Sequence, residues 1–337
     1  MKIFEKTASF IGAVFFVFAL ASCASKPDLF ADFKEMPAIY GLLDYKADTN
    51  FIKISRVFVT DDNPSEIVQN PAVNYYPDKL DAKLVEYCDG ELIREIRLDT
   101  ITKTNMKFYY TAERLKKNTK NDHYRYELVV VVDGKTIVSS ADMVGGDMFR
   151  IVTPHLNFGK NAFGVRMSMK FAPAPQATFY DVTVAFHYKE RRLPSKDTVE
   201  TVFHFIKDRF YKGDLEQTLA EDGYYSIYYH PEHFYTGFYE FLGDDTLNHN
   251  VLRYITDYPL EIIIEAGGME MMNYYKMYDA NIANAQFIPD FGCVGEGAVG
   301  LFSSRSRLTR RGRLAGHTVI DLMDMGWGFK YIGGKEE

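Results

Sequence analysis

The most constraining feature of this 337-residue sequence is a pair of Asp-Gly dipeptides, each set between two apolar runs. Residues 84–88 and 92–96 flank Asp89-Gly90, and residues 126–132 and 135–138 flank Asp133-Gly134. Asp and Gly both tolerate the positive φ angles that a two-residue reversal requires, so each site predicts a β-hairpin. Further strands are predicted over residues 38–43, 51–58, 107–110 and 148–152, with Ile52, Ile54 and Phe58 on one face of the second. Seven or eight strands in about 115 residues is the count expected of an immunoglobulin-like sandwich. The expected fold class is therefore mainly β: an N-terminal immunoglobulin-like β-sandwich over residues 38–153, then a second β-rich domain with two helical insertions over residues 154–337.

The boundary is placed at Thr153-Pro154, because proline removes a backbone donor and restricts the residue before it. Beyond it Val165, Met167, Met169 and Phe171 alternate with polar residues, as do Tyr180, Val182, Val184, Phe186 and Tyr188. Such alternation marks half-buried strands. Residues 190–195 read as a loop and residues 199–205 as the return strand. Pro231 can open a helix, and Phe234, Phe238 and Leu242 recur at a spacing of four before Gly243. A strand over residues 260–265 leads through Gly267-Gly268 into a second helix, from Met269 to about Tyr278. The last elements are residues 298–304 and 318–322.

The N-terminus carries a different signal. A short charged start is followed by thirteen uncharged residues from Ala8 to Leu20. As a helix they would rise about 20 Å, short of the roughly 30 Å hydrocarbon core of a bilayer, so they predict a signal-peptide core and not a permanent span. Leu20-Ala21-Ser22-Cys23 resembles the lipobox of bacterial lipoproteins. That resemblance implies removal of residues 1–22, diacylglycerol on the Cys23 thiol with a further acyl chain such as palmitate, and a lipidated tether over residues 23–37. At about 0.8 kcal/mol per buried methylene, two or more chains anchor durably. No acidic run follows Cys23, and both orientations at the outer membrane stay open.

Removing the leader takes away Lys2, Lys6 and Glu5, a net +1, so the formal charge moves from −7 to −8. This acidic balance argues against broad nucleic-acid binding. The aromatic supply is large, 24 Tyr and 26 Phe against one Trp, which suits strands and buried surface. Cys88 and Cys293 remain after lipidation of Cys23, either as a disulfide in an oxidising compartment or as two buried thiols.

Several segments together resemble one family. They are residues 39–44, Ile52-Lys53-Ile54, Gln69-Asn70-Pro71, residues 82–86, and the glycine-rich segment that ends in Leu301-Phe302-Ser303-Ser304-Arg305. The family is one of uncharacterised lipoproteins of Gram-negative, Bacteroidota-type bacteria, a domain of unknown function found near TonB-dependent receptors. The resemblance implies an outer-membrane setting and a binding or accessory role beside such a receptor. It brings no catalytic residue and no cofactor.

Three clusters are candidate sites. Tyr224, Tyr225, Tyr228 and Tyr229, followed by Phe234, Tyr235, Phe238 and Tyr239, place eight aromatics in a short stretch. They serve either as a recognition surface for peptide, glycan or protein, or as packing between helix and sheet. His230 and His233 flank Pro231-Glu232 and would share a face of a helix, as a weak metal site or as solvated side chains at a helix start. Arg305, Arg307, Arg310, Arg311 and Arg313 form a basic cluster, either meeting lipid or lipopolysaccharide phosphates or lying in a solvated loop.

Catalytic patterns are weaker still. Gly295-Glu296-Gly297 with Gly300 lacks the lysine of a phosphate loop and suits close backbone packing instead. No serine-hydrolase elbow occurs. Carboxylates such as Asp244 and Asp245, or Glu261 and Glu265, would matter only at the right separation in space. The expectation is a non-enzymatic, lipid-anchored binding module of the envelope without a cofactor. An adhesin or pilus-type component is the alternative, and a hydrolase with a cleft at the domain junction a third reading.

Overall fold

The computed structural model describes residues 36–57, 74–153, 155–283 and 294–332. The fold is mainly β. Eight strands come first: β1 (Met36–Leu43), β2 (Asn50–Val57), β3 (Asp81–Cys88), β4 (Glu91–Arg97), β5 (Asp99–Lys103), β6 (Met106–Thr111), β7 (Tyr124–Val132) and β8 (Lys135–Asp142). Both Asp-Gly hairpins form as the sequence predicts. Asp89 and Gly90 have φ of 51° and 88°, Asp133 and Gly134 of 49° and 75°, the left-handed values of a primed turn. β4, β3, β7 and β8 make one antiparallel sheet.

The second half supplies β9 (Met167–Phe171), β10 (Phe179–Arg192), β11 (Val199–Tyr211), α1 (Lys212–Glu216), β12 (Tyr225–Tyr229), α2 (Pro231–Leu242), β13 (Val251–Ile255) and β14 (Leu260–Gly267). α3 (Met269–Ala283), β15 (Val299–Gly312), α4 (Gly316–Asp324) and β16 (Phe329–Tyr331) follow. Among the described strands β9 and β12 pair with each other, while β10 pairs β11 on one edge and both β14 and β13 on the other.

One strand joins the two halves. The first six residues of β15 lie parallel to β1, with Ile39 opposite Gly300 and Leu43 opposite Ser304. The remainder of β15 lies antiparallel to β14, from Arg305 opposite Gly267 to Gly312 opposite Leu260. A single ten-stranded sheet thus runs from β5 and β6 through β2, β1, β15 and β14 to β10. The sandwich expected over residues 38–153 is therefore not closed on itself, since the edge of β1 opposite β2 is covered by a strand from the far end of the chain.

Two apolar cores lie under this sheet. In the N-terminal one Ile39, Ile52 and Ile54 meet Leu84, Leu128 and Val130 of the four-stranded sheet, with Phe302 of β15 among them. In the C-terminal one Phe186, Tyr188 and Phe203 of β10 and β11 meet Phe234 and Phe238 of α2, Trp327 and Phe329. Phe234, Phe238 and Leu242 fall on the buried face of α2, as their spacing predicts.

Four sequence expectations need correction. Residues 148–152 are not a strand: Gly145 and Gly146 turn the chain at positive φ, and Ile151 makes only an isolated bridge to Phe171. β5, rich in polar residues, was not anticipated. Residues 318–322 belong to helix α4, whose Thr318 and Leu322 are buried one turn apart, so helices outnumber the two insertions expected. The arginine-rich stretch after Ser304 is no solvated loop but the second half of β15. Phe58, Gln69, Asn70, Pro71, Pro154, Cys293 and the segment around Cys23 lie outside the described residues.

Candidate functional site

Side chains alternate across a strand, so the face of the long sheet turned away from the cores is set by the same register that buries Ile39, Ile52 and Phe302. On β1 that outward face carries Tyr40 and Leu42, on β2 Phe51 and Lys53, on β15 Leu301, Ser303 and Arg305. Lys53, Tyr40 and Leu301 are register neighbours in one row across the three strands. α3 lies against β15 beside this face, and the space between them is a cleft of about 560 Å³. Tyr40, Phe51, Phe108, Tyr274 and Tyr275 line it, together with Lys53, Arg305 and Asp44. Its volume is that of an ordinary small-ligand site.

Each wall is held from below. The turn between β14 and α3 exists because residue 267 is glycine: a Cβ there would lie 2.3 Å from the Phe179 ring. Gly268 N–H then donates to the Ser304 carbonyl at 3.2 Å, and Ser303 Oγ donates to Glu270 Oε2 at 2.9 Å. Met271 is buried at the base of the helix. Tyr275 stands edge-on to Phe179 at 5.6 Å, under the Arg209 guanidinium at 3.8 Å from its ring centre. Arg209 is itself fixed by two hydrogen bonds to Asp181, of 2.7 and 2.8 Å. At the other end buried Asn50 closes the β1–β2 loop, accepting from Asp44 N–H at 2.8 Å and donating to its carbonyl at 3.2 Å.

Two of the rings remain well exposed, Tyr40 at 41% and Phe51 at 37%. Phe51 meets Phe108 edge to face at 6.1 Å, and the Lys103 ammonium sits 4.2 Å from the Phe51 ring centre. Partial burial, and to a lesser extent the neighbouring Tyr274 phenol, push the Tyr40 hydroxyl above the ordinary tyrosine range. Tyr40 therefore stays a neutral donor and acceptor at any ordinary pH. The cations at the two ends are loosely held. Among the described residues Arg305 makes one long ion pair, 3.4 Å to Glu265, and its Nε is buried without a hydrogen-bond partner. Lys53 has no carboxylate partner among the described residues and lies 5.9 Å from the Tyr75 ring.

The aromatic run singled out in the sequence lies elsewhere and is mostly core. Tyr225, Tyr229, Phe234, Tyr235 and Phe238 are buried. Phe234 stacks on Phe158 at 4.4 Å. Tyr228 is exposed beneath the Arg166 guanidinium, 3.8 Å from its ring centre, Tyr224 accepts from Arg150 at 3.0 Å, and Tyr239 is exposed. His230 caps α2 by position and its ring lies 5.4 Å from that of His233. Among the described residues these histidines belong to no group of three close ligand atoms; Cys88, Asp89 and Asp122 form the one such group. Burial pushes the Cys88 thiol up, and its Sγ donates to Asp89 at 3.6 Å.

The basic cluster is divided by the strand it occupies. Arg305 and Arg311 face outward to Glu265 and Glu261, each at 3.4 Å. Arg310 reaches the Ile151 carbonyl at 3.2 Å, and Arg313 the Tyr258 hydroxyl at 2.9 Å. Arg307 is exposed, its carbonyl accepting from Lys46 at 2.6 Å. Of the carboxylates named for hydrolysis, Glu261, Glu265 and Asp245 are each engaged by neighbouring side chains, while Asp244 is exposed. Glu261 also meets His187 Nε2 at 3.2 Å, while Glu200 meets its Nδ1 at 2.9 Å, so both imidazole nitrogens are engaged. Asp245 is paired with Arg192 and accepts from Asn248 at 3.0 Å.

Sequence reasoning missed the cleft because its residues come from β1, β2, β6, α3 and β15. The one available signal was the set of aromatics at outward positions of otherwise regular strands, Tyr40 and Phe51 above all. Compared with known proteins, the chain matches no family model and no curated protein.

Proposed function

We propose that this chain is a non-enzymatic binding module of the cell envelope, held at the outer membrane by lipid on Cys23, and that it engages its ligand in the cleft between α3 and β1, β2 and β15. The observation that carries the reading is the exposure of Tyr40 and Phe51 on the floor of a concave, side-chain-lined space whose walls are fixed by hydrogen bonds and buried rings. Exposed rings in a rigid cleft contribute contact area at low ordering cost. The lipobox resemblance supports the anchor, and the family resemblance supports a TonB-dependent receptor as the accessory partner. No helix among the described residues is long and apolar enough to cross a membrane. Anchoring beside a partner raises effective concentration without any new contact.

The test is a mild-detergent pull-down from native membranes through a C-terminal tag, with Cys23→Ala as the control and mass spectrometry as the readout. Recovery of a TonB-dependent receptor that needs Cys23 is the expected outcome. Recovery of the protein alone overturns the accessory role. Recovery as a ladder of itself favours a second reading, a self-assembling adhesin or pilus-type component. That reading has its own support: among the described residues the 13-residue β11 pairs with β10 alone, leaving a long edge for strand addition.

A further inference from the structure

Resting on the reading of the cleft as a ligand site, we infer that its ligand is a short acidic oligosaccharide, with ring faces lying on Tyr40 and Phe51 and carboxylates reaching Lys53 and Arg305. The floor decides against an extended peptide. Peptide strands bind at sheet edges, where backbone donors and acceptors are free. Here the floor is a sheet face: β1 is paired by β2 on one side and by β15 on the other, and β15 is paired along its whole length, residues 299–304 by β1 and residues 305–312 by β14. What the cleft offers is ring faces and charged side-chain ends.

Ring faces suit sugars. The C–H groups on one face of a pyranose carry partial positive charge and match the negative face of an aromatic ring, while the sugar hydroxyls stay in contact with water and polar neighbours. The Tyr40 hydroxyl and the Asp44 carboxylate stand at the same cleft and supply hydroxyl partners.

The charge pattern selects acidic sugars. Two cations line the cleft, Lys53 and Arg305, and a third, Lys103, stands outside the lining over the Phe51 ring. Against them the cleft itself shows one carboxylate, Asp44, which already accepts from the Lys46 N–H at 2.9 Å. The Arg305 side chain is 42% exposed and among the described residues its one ion pair is the 3.4 Å contact from Nη1 to Glu265, so an incoming carboxylate can reach the exposed end of the guanidinium. This local excess of positive charge sits in a protein of formal charge −7.

Register sets the length. Lys53 shares a row with Leu301, and Arg305 lies four residues further along β15. At about 3.3 Å per residue Leu301 and Arg305 are about 13 Å apart along the strand. The two strand spacings between Leu301 and Lys53 add about 10 Å across the sheet, which sets the Lys53 and Arg305 backbones about 16 Å apart. A span of this size exceeds one sugar ring and fits an oligomer whose first and last rings each carry a carboxylate.

The decisive experiment is calorimetric titration of the full lipoprotein in detergent with trigalacturonate, against maltotriose as an uncharged trisaccharide, 4-hydroxybenzoate as a single-ring acid and triglutamate as an acidic peptide. Trigalacturonate should bind at least tenfold more tightly than each of the other three. Arg305→Gln and Lys53→Gln should each weaken it about fivefold or more, and raised salt should weaken it in parallel. Tyr40→Ala should abolish the heat of binding while thermal unfolding stays cooperative. Equal affinity for maltotriose, with both charge variants silent, would overturn the acidic assignment yet leave a sugar-binding cleft. Preference for triglutamate would overturn the glycan class. No binding by any of the four would overturn the inference, whereas the accessory reading falls only if the membrane pull-down fails.

Discussion

The two cores of this molecule solve the same packing problem with different side chains. The N-terminal sandwich is filled chiefly by aliphatic residues, Ile39, Leu43, Ile52, Ile54, Leu84, Leu128 and Val130. The C-terminal core is filled by rings, among them Phe158, Phe186, Tyr188, Phe203, Phe234, Phe238 and Trp327. Two facing sheets leave a thin, even layer that branched aliphatic side chains fill well. The C-terminal core is wedged between a sheet and helices that approach at several angles, and large rings bridge the uneven gaps edge to face. Phe238 alone meets Phe186, Tyr188, Phe203 and Trp327 at centroid distances of 5.1 to 5.7 Å. The lesson concerns where an aromatic residue carries information about function. In the C-terminal core a buried ring is a filler, while beside the aliphatic sandwich the outward rings Tyr40 and Phe51 lie outside the core and mark the cleft.

The largest expected effect tests the filler role. Phe238→Ala should cost about 3–5 kcal/mol, the range for deleting a buried phenylalanine whose neighbours cannot collapse into the space. Chemical denaturation followed by far-ultraviolet circular dichroism would measure it. A loss under about 1 kcal/mol would mean that α2 can repack, and that the ring cluster is less rigid than its contacts imply.

A smaller loss tests how the two cores are joined. At Gly300 the backbone has φ of 128°, and a Cβ would lie 2.0 Å from the Ile39 carbonyl oxygen. Gly300→Ala must therefore strain β15 or part it from β1, at a cost on the order of 2–3 kcal/mol. Because β15 serves both cores, the variant should also broaden the unfolding transition as the halves lose cooperativity. Hydrogen exchange resolved by segment would show whether β1 and β2 open before β10 and β14. Simultaneous opening would show that the halves are coupled by more than this strand.

Much of this architecture was legible locally. The Asp-Gly turns, the alternation along β10 and the spacing of Phe234, Phe238 and Leu242 each depend on residues a few positions apart, and each is found in the structure. The β1–β15 pairing depends on residues at opposite ends of the chain, and nothing in either segment names its partner. The run from Arg305 to Arg313 looked like a loop because charged residues are poor strand formers in isolation. Its pairing with Glu261 and Glu265 on β14 offsets that preference. The eight-aromatic stretch drew attention by density, yet density reports core as readily as surface. The cleft has no dense segment at all, only single outward residues on separate elements.

Exposed and buried phenols should also part company in alkali. Burial first, and the Glu190 carboxylate second, push the Tyr188 phenol from 10.0 up to about 12. Burial likewise raises Tyr180, Tyr229 and Tyr235 in the C-terminal core, and Tyr109 and Tyr126 in the sandwich. A folded pKa above the unfolded one means stability that is complete below about pH 10 and is lost as pH climbs toward the folded value. Tyrosinate absorbance should therefore rise in two stages, exposed phenols first and buried ones together with loss of structure. Tyr188→Phe should shift the second stage to higher pH. A single smooth titration without unfolding would show that these phenols are reached by water in the native state.

The smallest effect on folding belongs to the cleft. Tyr40 and Phe51 each leave more than a third of their surface in water. Replacing either by alanine removes little buried area, so Tyr40→Ala and Phe51→Ala should each change unfolding free energy by about 1 kcal/mol or less. Their effect on ligand binding should be the larger one, about tenfold or more, as expected of rings at the centre of a site. The pattern inverts that of Phe238→Ala, which should lower stability while leaving the affinity of the folded fraction intact. If Tyr40→Ala proved as destabilising as Phe238→Ala, the outward ring would be a packing element after all, holding α3 against the sheet through Tyr274 and Tyr275. The contrast between filler and marker would then dissolve, and the search for a ligand would have to move away from this face.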